Sequence, residues 1–347
     1  MKLLTTDHVD ARVRAALAAL THGRPVVVVD DSHRSNEGDL ILAASLATTE
    51  TIAFMIRHTS GFVCVALPGD DCDRLQLPAM HSSNNDPDGT AYCVATDLKD
   101  NGTGISAMAR ARTIGALADP TTTATDLARP GHVIPLRARP GGVLERHGHT
   151  EAGVDLMQLA GLAPAAALAE ITSTERPEHM ASRSELKHFA TQHDLVLLSV
   201  EDIADYRLRT ETTVTRQTLI PTTTRYGPFD RVDYRDIDGN HHTALVAGTI
   251  GTITPTTPIH IHRDCQTAEI FGNALCECTT ELSHTLARFG EDVSGIVIHL
   301  RGGDSTCAQT TTLSTRQQAI EAHILADLTT QVTPQPCRDL TRLARTA

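Results

Sequence analysis

The chain has 347 residues, 40% of them hydrophobic but only 3% aromatic, with no Trp and a formal net charge of -12. That length is a prior for two domains, and the charge excludes sequence-independent nucleic-acid binding through a basic surface. No run approaches the roughly 20 apolar residues of a membrane helix. Asp7 and Asp10 interrupt the N-terminal stretch before an apolar segment forms, so it does not read as a signal peptide. Eight Cys without an export signal read as reduced thiols or metal ligands. The expectation is a soluble cytoplasmic protein.

Residues 7–22 form the first expected helix, with Val9, Val13, Leu17 and Leu20 on one face and Gly23 to stop it. "PVVVVD" is a buried-strand run and leads into "DSHRSNEGD", a loop dense in ionisable groups. "TIAFMIRHTSG" reads as a helix closing at Gly61, and "FVCVAL" as a strand. Ser182 and Glu185 have capping-box spacing ahead of the next helix, and "LVLLSV" is the following strand. The polar, Thr-rich stretch from about 206 to 220 reads as a boundary. Beyond it, "HHTALVAGTIG", "PIHIH" and "SGIVIHLRGG" are expected strands, and "TTELSHTLARFG" a helix ending at Gly290. After about residue 303 apolar anchors thin out. Mixed helices and apolar strands point to an α+β or α/β chain, divided as 1–207 and 208–347.

Four stretches of the first half concentrate polar chemistry: "DDSHRSNEGD", "NGTGIS", "RPGHVIPLRA" and "GGVLERHGHTEAGVD…LAEIT". Gly-rich turns beside Arg and Thr suit an anion, since backbone N–H groups and guanidinium pair with phosphate. Acids with His suit a hard divalent cation and proton transfer. Taken alone, Asp30, Asp31 and Glu37 also fit a solvated loop, and Cys64 a small buried apolar residue.

In this order the stretches resemble 3,4-dihydroxy-2-butanone 4-phosphate synthase over roughly residues 5–207. The resemblance implies an α+β fold, a homodimer with sites at its interface, and a Mg²⁺-dependent lyase. Ribulose 5-phosphate would be enolised, dehydrated and rearranged, and would lose C4 as formate. It further implies that Arg34 contacts the substrate and that Asp39 binds its hydroxyls or moves protons. Glu37 and Glu170 join Asp39 as acid–base groups. Arg146 and Thr150 hold the phosphate, and Thr103 and His132 contact the substrate. His149 is a metal ligand.

The loop departs from the family's Asp-Asp-Glu-Asp-Arg-Glu-Asn-Glu-Gly-Asp. Ser32 and His33 replace two acids, and Ser35 replaces the Glu that bridges metal ions. Ala109 replaces another acid before Arg110. Serine is a weak, neutral ligand for Mg²⁺. His33 with His149 would instead favour Mn²⁺, Fe²⁺ or Zn²⁺, and Mg²⁺ or Mn²⁺ is the expected cofactor.

In the second half, Cys265, Cys276 and Cys278 fall in one short segment, as three thiolates around tetrahedral Zn²⁺ would; reduced free thiols are the alternative. "RYGPFDRVDYRDIDGNHHTALVAG", this segment and "IVIHLRGG" resemble GTP cyclohydrolase II over roughly residues 215–303. The family's Arg-Val-His-Ser-Glu is here His260 to Asp264, and its Gln-Glu-Gly-Arg-Gly-Ile-Gly loop is "GDSTCAQ". Pro336 stands where an Asp is expected, Arg338 matches the family's Arg, and the chain stops at Ala347 without the last family segment. The expectation is a second half inactive on GTP. Three readings stay open: a synthase on ribulose 5-phosphate, a repurposed enzyme for another phosphosugar, and a non-catalytic partner of a riboflavin enzyme. None involves nucleic acid or a membrane.

Overall fold

The computed structural model describes residues 3–30, 37–248, 250, 253–254, 256–265, 276–291, 294–301 and 315–329. The chain divides into two units, Met1–Arg207 and Leu208–Ala347.

The first unit runs α1 (Leu3–Thr21), β1 (Val26–Val29), β2 (Gly38–Ala43), α2 (Thr49–His58), β3 (Cys64–Leu67), α3 (Gly69–Arg74), β4 (Thr96–Leu98) and α4 (Ala107–Ala118). It continues with β5 (Leu127–Arg137), α5 (His149–Leu159), β6 (Ala166–Glu170), α6 (Arg183–Gln192), β7 (Leu197–Ser199) and α7 (Val200–Thr210), which crosses the boundary. Among the described residues its strands form one seven-stranded mixed sheet, in the order β4-β5-β3-β6-β2-β1-β7. Every residue of β1, β2 and β3 is buried, as expected for strands covered on both faces. On one face Ile52 and Met55 of α2, Ile114 and Leu117 of α4 and Leu186 of α6 pack on Val27, Leu40 and Val65. On the other, Val13, Ala16 and Leu20 of α1, Leu156 of α5 and Ile203 of α7 pack on Val28, Ile41 and Ala66. Fully burying each of the Val, Leu, Ile and Met side chains contributes about 1.5–3 kcal/mol. The capping box at α6 is formed: Ser182 Oγ accepts from Glu185 N–H and the Glu185 carboxylate accepts from Ser182 N–H.

The second unit contains β8 (Val214–Thr224), β9 (Gly227–Asp236), β10 (His241–Ala247), β11 (Ile259–Arg263), α8 (Cys278–Gly290), β12 (Gly295–Leu300) and α9 (Thr315–Thr329). Its sheet is ordered β11-β12-β10-β9-β8. The Thr-rich stretch read as a boundary, 206–220, takes in the end of α7 and, from Val214, the first part of strand β8, which pairs with β9 with one register shift between Arg216 and Thr218. β-branched Thr suits a half-exposed edge strand, and such a strand shows no run of apolar residues. Past residue 303, α9 buries Ile320, Ile324 and Leu328 against Val214, Ile296 and Ile298. This four-residue spacing was hidden by the polar stretch before it.

Candidate functional site

Asp30 follows the last residue of β1 and Glu37 precedes the first residue of β2. Asp30 N–H donates to Glu37 O at 3.2 Å, and Glu37 N–H donates to Asp30 Oδ1 at 2.9 Å. This clasp joins the two ends of the acidic loop. Asp39 lies directly opposite Glu170 in the antiparallel pair of β2 and β6. Facing residues of such a pair have Cβ atoms about 4.5–5.5 Å apart, so two carboxylates share one side of the sheet. His149 opens α5, with Nδ1 3.4 Å from Asp39 Oδ1.

These groups line a cleft of about 200 Å³ that also takes in Cys64, Tyr92, Arg146 and Thr150. Arg146 is held by Glu151 at 2.5 Å, by Thr90 Oγ1 at 2.9 Å and by Asp88 O at 3.1 Å. Gly148 is the N-cap of α5 and supplies no capping side chain. A Cβ there would meet Arg146 Nη1 at 2.2 Å, so only glycine lets the guanidinium lie over the helix start. A helix N-terminus beside Arg and Thr suits phosphate.

Ser60 joins Glu170 from the end of α2. Its N–H donates to Glu170 O at 2.7 Å and its hydroxyl to Glu170 Oε2 at 2.8 Å. Ser60 Oγ accepts from Phe62 N–H at 3.2 Å, which aims the hydroxyl proton at the carboxylate. Burial, then Glu170 and Asp39, push the Cys64 thiol far up, so Cys64 is a protonated wall residue. Burial, then the nearby Cys64 and acids, push Tyr92 up to about 12, so it meets a ligand as a neutral phenol.

The structure brings together Glu37, Asp39, Arg146, His149, Thr150 and Glu170. Arg34, His33, Ser32 and Ser35 lie outside the described residues. Thr103 and His132 do not line this cleft. His132 is four residues before Leu136, a cleft residue, which is about 13 Å along β5 at about 3.3 Å per residue. Thr103 precedes Gly104, which packs against Asp97 and His132. Ile105 and Met108 next to this second patch are 50% and 58% exposed. Arg110 of α4 donates to Gly61 O at 3.0 Å, and the neighbouring Phe62 is 47% exposed. Sequence reasoning missed Ser60, Tyr92 and Asp97. Ser60 and Glu170 are 110 residues apart, and no local pattern links them.

In the second unit Cys265, Cys276 and Cys278 are buried, and their sulfurs lie within 4.8 Å of one another. Cys265 and Cys276 Sγ are 3.5 Å apart. A tetrahedral ion with Zn–S of about 2.3 Å needs sulfurs about 3.8 Å apart, so the thiols fit zinc. Among the described residues no other set of three or more His, Cys, Asp or Glu converges in this way. A groove of about 720 Å³ on the sheet is lined by Arg231, Thr243, His262, His299 and Arg301. Asp264 holds His299 Nε2 at 2.6 Å. Asp304, Pro336 and Arg338 lie outside the described residues.

Residues 14–206 match the family 3,4-dihydroxy-2-butanone 4-phosphate synthase, and residues 214–333 match GTP cyclohydrolase II. The riboflavin biosynthesis protein RibBA of Salinispora tropica is 48% identical over 292 residues, covering 84% of this chain and 72% of its own. Among solved structures, RibBX of A. baumannii, a two-domain 3,4-dihydroxy-2-butanone 4-phosphate synthase, is 33% identical. It covers 93% of this chain and 94% of its own, with a TM-score of 0.70. A 3,4-dihydroxy-2-butanone 4-phosphate synthase in complex with two magnesium ions is 42% identical. It covers 57% of this chain and 97% of its own, with a TM-score of 0.55.

Proposed function

The chain belongs to the riboflavin biosynthesis family that joins a 3,4-dihydroxy-2-butanone 4-phosphate synthase domain to a GTP cyclohydrolase II domain, and we propose that its first unit converts ribulose 5-phosphate to 3,4-dihydroxy-2-butanone 4-phosphate and formate. The observation that carries this is the cleft where Asp39, Glu170 and His149 meet the Arg146–Thr150 start of α5. Arg146, Thr150 and the first N–H groups of α5 hold the phosphate. That fixes the sugar carbons against the carboxylate pair. Glu37, Asp39 and Glu170 take and return the protons of enolisation and dehydration. Cys64, Leu136 and Leu168 form the apolar part of the cleft wall.

One imidazole beside carboxylates fits a hard divalent cation. Mg²⁺ is commonly held by one or two protein groups and otherwise by water and substrate oxygens. His149, with Glu37 and Asp39 near it, would hold Mg²⁺ or Mn²⁺, whose charge stabilises oxyanions of the sugar. Formate release from ribulose 5-phosphate with Mg²⁺, then Mn²⁺, tests the proposal. Release above a His149→Ala control supports it; none from folded protein refutes it.

A second copy of the chain completes the site. Thr103 and His132 stand on a patch away from the cleft, flanked by exposed Ile105 and Met108. Such apolar side chains around a polar patch mark a contact surface. The second unit binds Zn²⁺ at its three thiols and does not open GTP. The stretch "GDSTCAQ" supplies none of the family's Arg for phosphates, and Pro336 cannot accept a proton. A two-domain neighbour that covers 93% of this chain and is described as a synthase accords with this division. A GTP turnover assay on zinc-loaded protein tests it, and formation of any ring-opened product would refute it.

A further inference from the structure

Asp97 serves none of the roles assigned so far, yet much of its surroundings are built around it. It is 9% exposed and sits at an irregularity in the β4/β5 pairing, the kind of break that re-aims a side chain. Its Oδ1 accepts the backbone N–H of His132 at 2.9 Å, and its Oδ2 lies 2.6 Å from His132 Nδ1. Two glycines leave room for this pair. A Cβ at Gly104, where φ is +81°, would meet Asp97 Oδ2 at 2.0 Å and His132 Nδ1 at 2.8 Å. A Cβ at Gly131 would meet the Thr96 carbonyl carbon at 2.1 Å and Asp97 N at 2.3 Å. The His132 side chain is 42% exposed while that of Asp97 is 13% exposed, so the carboxylate backs a ring that faces outward.

A carboxylate only accepts. The contact at Nδ1 is therefore an N–H donated by the ring, and in the neutral imidazole that leaves Nε2 with its lone pair. We infer that Asp97 is a positioning residue that fixes His132 as the Nδ1–H tautomer, so that Nε2 accepts a proton from the bound sugar phosphate. The proton passes from a substrate hydroxyl or C–H to Nε2, the imidazolium charge is balanced by Asp97, and the proton returns to substrate or water. This rests on the proposed synthase reading, with the sugar phosphate held in the cleft of a second copy of the chain.

The backbone contact makes the Asp97→Asn variant informative. His132 N–H must still find an oxygen, so the amide oxygen takes the Oδ1 place and the NH₂ group faces Nδ1. The NH₂ then donates to Nδ1 and forces the proton to Nε2. The experiment is ¹⁵N NMR of imidazole-labelled protein, with the His132 signals assigned by loss in His132→Gln, together with formate kinetics. The expected result is an Nδ1–H tautomer in the wild type and Nε2–H in Asp97→Asn. With it, kcat should fall about 100-fold or more, as for loss of a general base, and KM should change far less. A wild-type ring in the Nε2–H form would overturn the inference. So would kcat within threefold of wild type in a variant whose tautomer has switched. Absence of formate from the wild type would instead refute the synthase reading. The wild-type spectrum needs no substrate and decides on the Asp97–His132 arrangement in either case.

Discussion

The two units hold their polar groups in different ways. In the first, the cleft residues stand on regular elements: Asp39 on β2, Glu170 on β6, His149 and Thr150 on α5. Asp39 faces Glu170 across β2 and β6 and lies beside His149 of α5, while Ser60 ties down Glu170 and Thr90 ties down Arg146. In the second, three buried thiols come together, while Asp304, Pro336 and Arg338, which stand at the family's nucleotide positions, lie outside the described residues. A site carried by strands and helix starts keeps its geometry while a neighbouring loop changes sequence.

The most direct test of this contrast removes one group from each unit. Glu170→Gln should lower formate release about 10²–10⁴-fold with little change in thermal midpoint. Cys276→Ser should abolish stoichiometric zinc and destabilise the second unit, because zinc held by the three thiols would contribute folding energy, yet leave formate release within about twofold. Loss of formate release in Cys276→Ser would break the separation of roles.

Complementation follows in size. His149→Ala and His132→Ala should each be inactive alone. Mixed in equal amounts under exchange, half the dimers are mixed and each carries one intact site, so about a quarter of wild-type activity returns. No recovery would mean that both patches serve one chain.

Ser60→Ala should lower kcat about 10-fold, the worth of a hydrogen bond to a charged group, and Ser60→Thr should restore most of it. Equal losses in both variants would reduce Ser60 to a packing role.

The smallest effect is in acid stability. Burial, only partly offset by Asp236, lowers the pKa of His242 in the second unit. The unfolded chain then binds that proton more readily, so stability is full above pH 6.5 and declines as pH falls below it. In the first unit, hydrogen bonds from Ser173 and Ser182 hold Glu185 down at about 2 against an ordinary 4.5. Its contribution is present above pH 4.5 and lost between pH 4.5 and about 2. Calorimetry of His242→Gln and Glu185→Gln across pH should show the first difference fading near pH 6 and the second only in stronger acid. Fading in one common range would remove the distinction.

Much of the first unit was legible because its signals are local. Buried runs such as Val26–Val29, the Ser182–Glu185 spacing and the Arg146–Thr150 motif each act within a few residues. Strand β8 was not, because an edge strand of Thr needs no apolar alternation. Ser60 and Asp97 were not, because their partners Glu170 and His132 are brought to them by sheet register. The separation of His132 from the cleft also depends on strand order, which no motif records.

The Asp30–Glu37 clasp has a consequence for how such a protein can change. Two backbone-anchored bonds at the loop ends set where β2 starts, and hence where Asp39 stands, whatever sequence lies between. The segment becomes an exchangeable cassette. Replacing Ser35 by Glu should then leave the Asp30–Glu37 bonds and the position of Asp39 unchanged.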